Sequence, residues 1–401
     1  MTGFIRPRDY RELGIMCGFP PPPEKCPTLN NWDLPPFNRW SFQNMRSLFP
    51  TVDVRRGTGV VPVSGKNDPA VLDLRFATPE GKDKSVRQSL LQTYTDGFLI
   101  RIGGDTLLEF YGNAMTPYTP HLAQSVSKSL IGTLAGILVG EGLLALDAPL
   151  VRYVPELAGC GYGTARLADL LDMRSGVRFS EDYGHPASDM TRLDVASGWR
   201  PATGERCTIR DLILTLPQER PHGGAFSYRS IETDVLAWVI ERAADRSLAD
   251  LLSERIWRRI GAENDAFFTV DSAGTVLADG GFCATLRDFA RFGEMMLNNG
   301  RVGDDQVVPP DWITAIRHGD PHAFGAPYTD LSPDGCYSRQ WWVHDARRGD
   351  YMARGVFGQL IYIDPARGLL AVKLSSWPDY LMPGFVPETL ALINALAAAG
   401  A

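Results

Sequence analysis

The chain has 401 residues, with 40 Lys+Arg against 47 Asp+Glu and a formal net charge of −7. Its 44% hydrophobic and 22% charged residues exclude a disordered, collagen-like or small disulfide-rich chain, and the length suits two or three structural units with a large core. The mild acidity argues against a nucleic-acid partner, because phosphate binding needs concentrated positive charge.

Residues 1–70 are rich in proline, with Pro20 to Pro23, Pro27, Pro35 and Pro36. Proline fixes φ and removes amide donors, so this segment is expected to wrap over a body rather than form a core. The polar N-terminus lacks an apolar run of the secretory type. A short helix is expected over 85–95. Two strands, 97–102 and 106–111, follow around Gly103-Gly104-Asp105 and predict an antiparallel hairpin. A helix is expected over 125–141. The longest apolar stretch, Leu130 to Leu146, is broken by glycines and Glu141, which is too short and interrupted for a membrane span. A cytoplasmic location without a membrane partner is the expectation.

From 146 to 273 the chain reads mostly as helices and long loops, with helical periodicity over 166–173 and 233–244. A further helix fits 285–298. Strands are expected over 352–356, 360–363 and 369–375, and a last helix over 387–398. Strands near both ends with helices between them predict an α/β (α+β) fold with a mostly antiparallel sheet. In that reading residues 71–150 and 286–401 form one discontinuous body, and 151–285 is an inserted, mainly helical domain.

The six cysteines, Cys17, Cys26, Cys160, Cys207, Cys283 and Cys336, form no C-x-x-C pair, and the histidines are equally scattered. No metal-ligand spacing results, no cofactor motif is present, and free buried thiols are expected. G-x-S-x-G, H-E-x-x-H, a complete P-loop and a dinucleotide fingerprint are all absent.

The strongest chemical signal is Ser125-Val126-Ser127-Lys128 at the start of an apolar helix. Positions i and i+3 share a helix face, so a hydroxyl and an amine can touch there without help from a loop. Serine needs a base to become a nucleophile, and burial lowers a lysine pKa toward that use. The helix start also offers free amides for an oxyanion. Lys128 stands alone between Lys84 and Lys373. A serine near an N-cap and a lysine reaching solvent is the bland alternative. Tyr228, in Phe226-Ser227-Tyr228-Arg229-Ser230 before a helix, can present a phenol as a proton relay; otherwise it is a packed tyrosine. Gly355-Val356-Phe357-Gly358-Gln359 at a strand edge lets a substrate approach the backbone and offers an amide there; otherwise it is a bulge.

This order of S-x-x-K, Tyr-x-Ser and a glycine-bearing strand edge resembles the serine β-lactamase and penicillin-binding superfamily. It looks most like the class C β-lactamase and carboxylesterase branch, and within it the 6-aminohexanoate-dimer (nylon-oligomer) hydrolases. Supporting stretches include Pro36-Phe37-Asn38-Arg39-Trp40, Thr233-Asp234-Val235-Leu236-Ala237-Trp238 and Arg339-Gln340-Trp341-Trp342. The resemblance implies a β-lactamase-like fold, Ser125 as the acylated nucleophile, Lys128 as its base and Tyr228 as the relay. It implies an oxyanion hole from the Ser125 and Val356 amides, and a homodimer. It also implies substrate contacts from Tyr183, near the scissile amide, and from Asp194, which would pair with a substrate ammonium. Gly355 stands where the superfamily usually begins its third motif with Lys or His. Phe357 stands where the nylon-oligomer enzymes carry histidine, and it is expected to make the substrate corner more apolar. The missing cation argues against penicillin carboxylates. The expected activity is a serine hydrolase acting through an acyl-enzyme on linear amides of the aminohexanoate-oligomer type and on short-chain esters. The alternatives are a carboxylesterase with little amidase activity, a D,D-peptidase or β-lactamase, and a catalytically silent binding homologue.

Overall fold

The computed structural model describes residues 6–61, 67–202, 204 and 207–400. Residues 1–5 and 62–66 of the expected proline-rich segment, residues 203, 205 and 206 of the expected helical insertion, and the final Ala401 lie outside the described residues.

A seven-stranded sheet positions the site. Its strands run in the order Cys336–Ser338, Trp341–Asp345, Asp350–Gly355, Gln359–Asp364, Leu369–Ser375, Thr95–Ile102 and Asp105–Tyr111. Every neighbouring pair is antiparallel. The expected hairpin forms, with Gly103 at φ +59° and Gly104 at +91° making the turn, a region open to glycine because it lacks Cβ. Leu369–Ser375 pairs with Thr95–Ile102, setting Val372 against Leu99 and Lys373 against Phe98. One sheet is thus stitched from distant parts of the chain.

Alternate residues of a strand face opposite ways, and both faces are buried here. Phe98, Ile100, Leu108, Leu360 and Ala371 pack with Leu392, Ile393 and Leu396 of the final helix, Phe385–Ala399. Leu99, Ile361, Leu370 and Val372 face the main core, which includes the helices Val126–Gly140 and Leu286–Leu297. Gly293 lets the second of these helices lie close, since a Cβ there would come within 2.4 Å of Leu370.

Three features depart from the sequence expectation. Thr51–Val54, Ala266–Thr269, Phe282–Ala284 and His121–Leu122 make a second, four-stranded sheet. Cys336–Ser338 and Trp341–Asp345 add unexpected strands to the large one. These strands are two to five residues long, too short to show alternation. The N-terminal segment also supplies core as well as cover. Trp32 is buried with its ring edge-on to Phe42, Phe49 and Trp199 at 6.0, 5.1 and 5.0 Å, and its indole N–H donates to the Trp199 carbonyl at 3.0 Å. Finally, all six cysteines are free, but only Cys283 and Cys336 are buried; Cys26 and Cys160 are half-buried, and Cys17 and Cys207 are exposed. Among the described residues no helix is long and apolar enough to cross a membrane.

Candidate active site

Ser125 sits immediately before the helix Val126–Gly140 with helical φ/ψ, preceded by Gln124 at φ +48°. A capping serine spends its oxygen on a helix amide, but the Ser125 side chain makes no such bond. Its Oγ instead accepts from the Lys128 Nζ at 2.9 Å. Lys128 does not reach solvent. It is 1% exposed and also donates to the Asp279 carbonyl at 2.8 Å and the Asp279 carboxylate at 3.4 Å.

The charge state of Lys128 differs from the expectation. Burial does pull its pKa down, but Tyr228, the Asp279 carboxylate and Glu181 outweigh it and the net direction is upward. Tyr228 is itself held above its ordinary value, chiefly by burial, against the downward pull of Lys128 and Ser125. A neutral phenol carries no charge, so near pH 7 the carboxylates are what hold Lys128 as an ammonium.

Tyr228 stacks on Trp342 at 5.3 Å, and its ring centroid lies 5.2 Å from the Lys128 Nζ. The strand Asp350–Gly355 ends against Ser125. A Cβ on Gly355 would come 2.8 Å from the Ala123 carbonyl oxygen and 3.0 Å from the Ser125 nitrogen. Glycine here is therefore a matter of close approach. It brings the strand edge, with Val356 next in the chain, beside the Ser125 amide.

These residues open into a cavity of about 590 Å³ whose wall includes Ser125, Tyr183, Tyr228, Trp342, Arg354 and Val356. Tyr183 is on this wall. Its hydroxyl donates to Glu181 at 2.7 Å and its ring lies 5.2 Å from Tyr380. The Glu181 carboxylate also accepts from the amide of Ser230 at 2.8 Å and its hydroxyl at 2.5 Å. Burial raises its pKa against the pull of Lys128.

Two expected substrate contacts are placed differently. Asp194 lies on the helix Asp189–Ala196 and is not on the cavity wall. Burial pushes its carboxyl up to about 8, against the pull of Arg200. Phe357 is 8% exposed and packs edge-on against Phe42 at 5.2 Å, within the main core. Its left-handed backbone, φ 59° and ψ 16°, turns the chain so that Val356 and Gly358 line the cavity while the ring does not. The substrate corner also keeps a cation, because Arg354 stands on the wall. Sequence reasoning missed this residue, along with Asp279, Glu181 and Trp342. Asp279 acts partly through its carbonyl, which no side-chain motif signals, but the Gly280-Gly281 pair after it marks a close backbone approach.

The β-lactamase family model matches residues 88–393. The 6-aminohexanoate-dimer hydrolase of Paenarthrobacter ureafaciens is 37% identical over 358 residues, covering 88% of this chain and 89% of that one. A solved structure from Bacillus anthracis, provisionally named for the same activity, superposes with a TM-score of 0.85 at 28% identity, covering 93% of this chain and 97% of that one. A family VIII carboxylesterase shares the fold at a TM-score of 0.60 and 15% identity, covering 84% of this chain and 100% of that one. With the Ser125–Lys128 contact at the head of its helix and this coverage, the chain belongs to the β-lactamase family and is a serine hydrolase similar to the 6-aminohexanoate-dimer hydrolases.

Proposed function

We propose that the protein cleaves linear amides of the aminohexanoate-oligomer type through an acyl-enzyme on Ser125, and short-chain esters by the same route. The observation that carries this reading is the buried 2.9 Å contact between Lys128 Nζ and Ser125 Oγ. Once the Lys128–Tyr228 pair has lost one proton to solvent, Ser125 Oγ attacks the carbonyl carbon and its proton passes to that pair. The Ser125 and Val356 amides take the oxyanion. Tyr228, neutral and next to Lys128, hands a proton to the departing nitrogen, which amide cleavage requires. Water then attacks the acyl-enzyme and returns Ser125. Tyr183 contacts the scissile amide region. By the family resemblance Asp194 would meet a substrate ammonium, a contact that needs it to approach the cavity it does not line here. A homodimer, carried over from the family resemblance, is the proposed assembly, and sedimentation velocity at micromolar concentration distinguishes it from a monomer.

A carboxylesterase with little amidase activity is the second reading. The carboxyl of Asp194, off the cavity wall and held at about 8, favours it, because a neutral acid is a poor anchor for an ammonium. Initial rates on the 6-aminohexanoate linear dimer and on a p-nitrophenyl ester separate the two. Dimer cleavage lost in Ser125→Ala supports the amidase; ester turnover without detectable dimer cleavage leaves the esterase. Fluorophosphonate labelling located by mass spectrometry is expected at Ser125. Labelling and turnover that survive Ser125→Ala would defeat both readings.

A further inference from the structure

Three cations bear on the cavity or its nucleophile, and two are occupied. Lys128 is engaged by Ser125 and Asp279. Lys373 is 2% exposed and donates to the Thr93 carbonyl at 3.3 Å and the Ser375 hydroxyl at 2.5 Å. Burial lowers its pKa to about 7, so it is a weak cation at neutral pH. Arg354 is different. Its guanidinium carbon lies 5.0 Å from the Trp342 ring centroid. Among the described residues it has no carboxylate within ion-pair distance; Tyr228 pulls its pKa up, and His344 is close enough to feel its charge. Burial lowers its pKa to about 10, which still leaves it charged. A charged guanidinium held against an aromatic ring, without an acid from its own chain, is a site that an incoming anion completes.

The side of the cavity matters as much as the charge. Trp342 carries both Arg354 and Tyr228, and Tyr228 is the proposed proton donor to the departing amine. Arg354 therefore stands on the leaving-group side, next in the chain to Gly355 and Val356.

We propose that Arg354 binds the free carboxylate borne by the departing half of the substrate, so that the enzyme selects amides whose leaving amine is an ω-amino acid. This rests on the amidase reading for what departs, but the site can be read by binding alone. In the Ser125→Ala protein, isothermal titration with hexanoate and with its neutral isostere hexanamide measures the preference for charge. Hexanoate is expected to bind about tenfold more tightly, the scale of a charge-assisted pair in a partly desolvated site. Arg354→Met in the same background is expected to bring the two constants within about twofold. Arg354→Lys is expected to retain part of the preference.

Equal binding of both ligands with Arg354 present overturns the proposal, as does a preference that survives Arg354→Met. An equal loss of both ligands in Arg354→Met also overturns it, since that outcome marks a structural role. If wild type cleaves no dimer yet hexanoate is preferred through Arg354, the amidase reading falls and the carboxylate site stands. If dimer is cleaved without any preference, the site falls and the amidase stands.

Discussion

Asp194, half-buried on its helix, shows how a single group can set a pH dependence. Its folded pKa of about 8 lies far above the usual carboxylate range, so the folded state keeps a proton that the unfolded chain releases from about pH 4 upward. This contribution to stability is complete below that range and is lost as pH rises through 8. Asp194→Asn is therefore expected to raise the urea midpoint relative to wild type at pH 8, with the difference vanishing near pH 4. The Lys128–Tyr228 pair predicts a second profile. Both groups are held above their ordinary values, and in the proposed mechanism the pair must lose a proton to accept one from Ser125. The kcat/KM of ester hydrolysis is expected to climb with pH on the alkaline side of neutrality, with an apparent pKa that belongs to the pair. A flat profile from pH 6 to 9 would contradict this. Ser125 and Lys128 are legible from sequence because i and i+3 on a helix is a local relation. The carboxylates that set the lysine's charge are not, because Asp279 and Glu181 arrive from elsewhere in the chain.

At the scale of elements, two glycine placements explain how Ser125 is positioned. Along the helix Val126–Gly140, Cβ atoms on Gly132, Gly136 and Gly140 would fall 2.3 Å from the Arg339 carbonyl, 2.4 Å from the Trp312 ring and 2.6 Å from Pro309. Glycine costs a helix roughly 1 kcal/mol against alanine, and here it permits the neighbouring segments to pack directly on the backbone. Gly136→Ala trades that propensity gain for overpacking of about 1–3 kcal/mol. A net fall in Tm is expected by thermal denaturation. Gly355→Ala tests the other junction. Its φ of −133° suits any residue, so the penalty is purely steric, and the atoms in the way are the Ala123 carbonyl oxygen, the Gln124 Cβ and the Ser125 nitrogen. Retreat of the strand edge is expected to cut kcat, by up to about 100-fold if it approaches about 1 Å, measured on a p-nitrophenyl ester. The helices and the three C-terminal strands are readable because their apolar periods persist for several residues. The strands of the second sheet are two to four residues long and carry no such signal.

Across the whole molecule, the ends of the chain are bound into one structure. Trp32 is sealed against Trp199, the Asn38 side chain donates to the Trp377 carbonyl at 2.7 Å, and Thr95–Ile102 is clamped by Leu369–Ser375. Trp32→Ala removes a fully buried ring and is expected to cost about 3–5 kcal/mol, read as a shift in the urea midpoint. The antiparallel α/β architecture is legible from strands at both ends with helices between. The core role of the proline-rich segment is not, because Trp32, Phe42 and Phe49 are spaced without a regular period. The long-range seam between Ser125 and Gly355 also bears on how the enzyme comes into being. The Ser125–Lys128 contact is local and can form as soon as its helix does, whereas the strand edge that completes the pocket is joined only when C-terminal strands dock. Non-local pairing of this kind is slow to form. On the proposed mechanism catalysis is expected to be a late milestone of maturation, with a nascent or clipped chain holding S-x-x-K alone silent. In refolding from urea, return of ester hydrolysis should trail return of the far-ultraviolet helical signal, which makes enzymatic activity a stringent gauge of finished molecules.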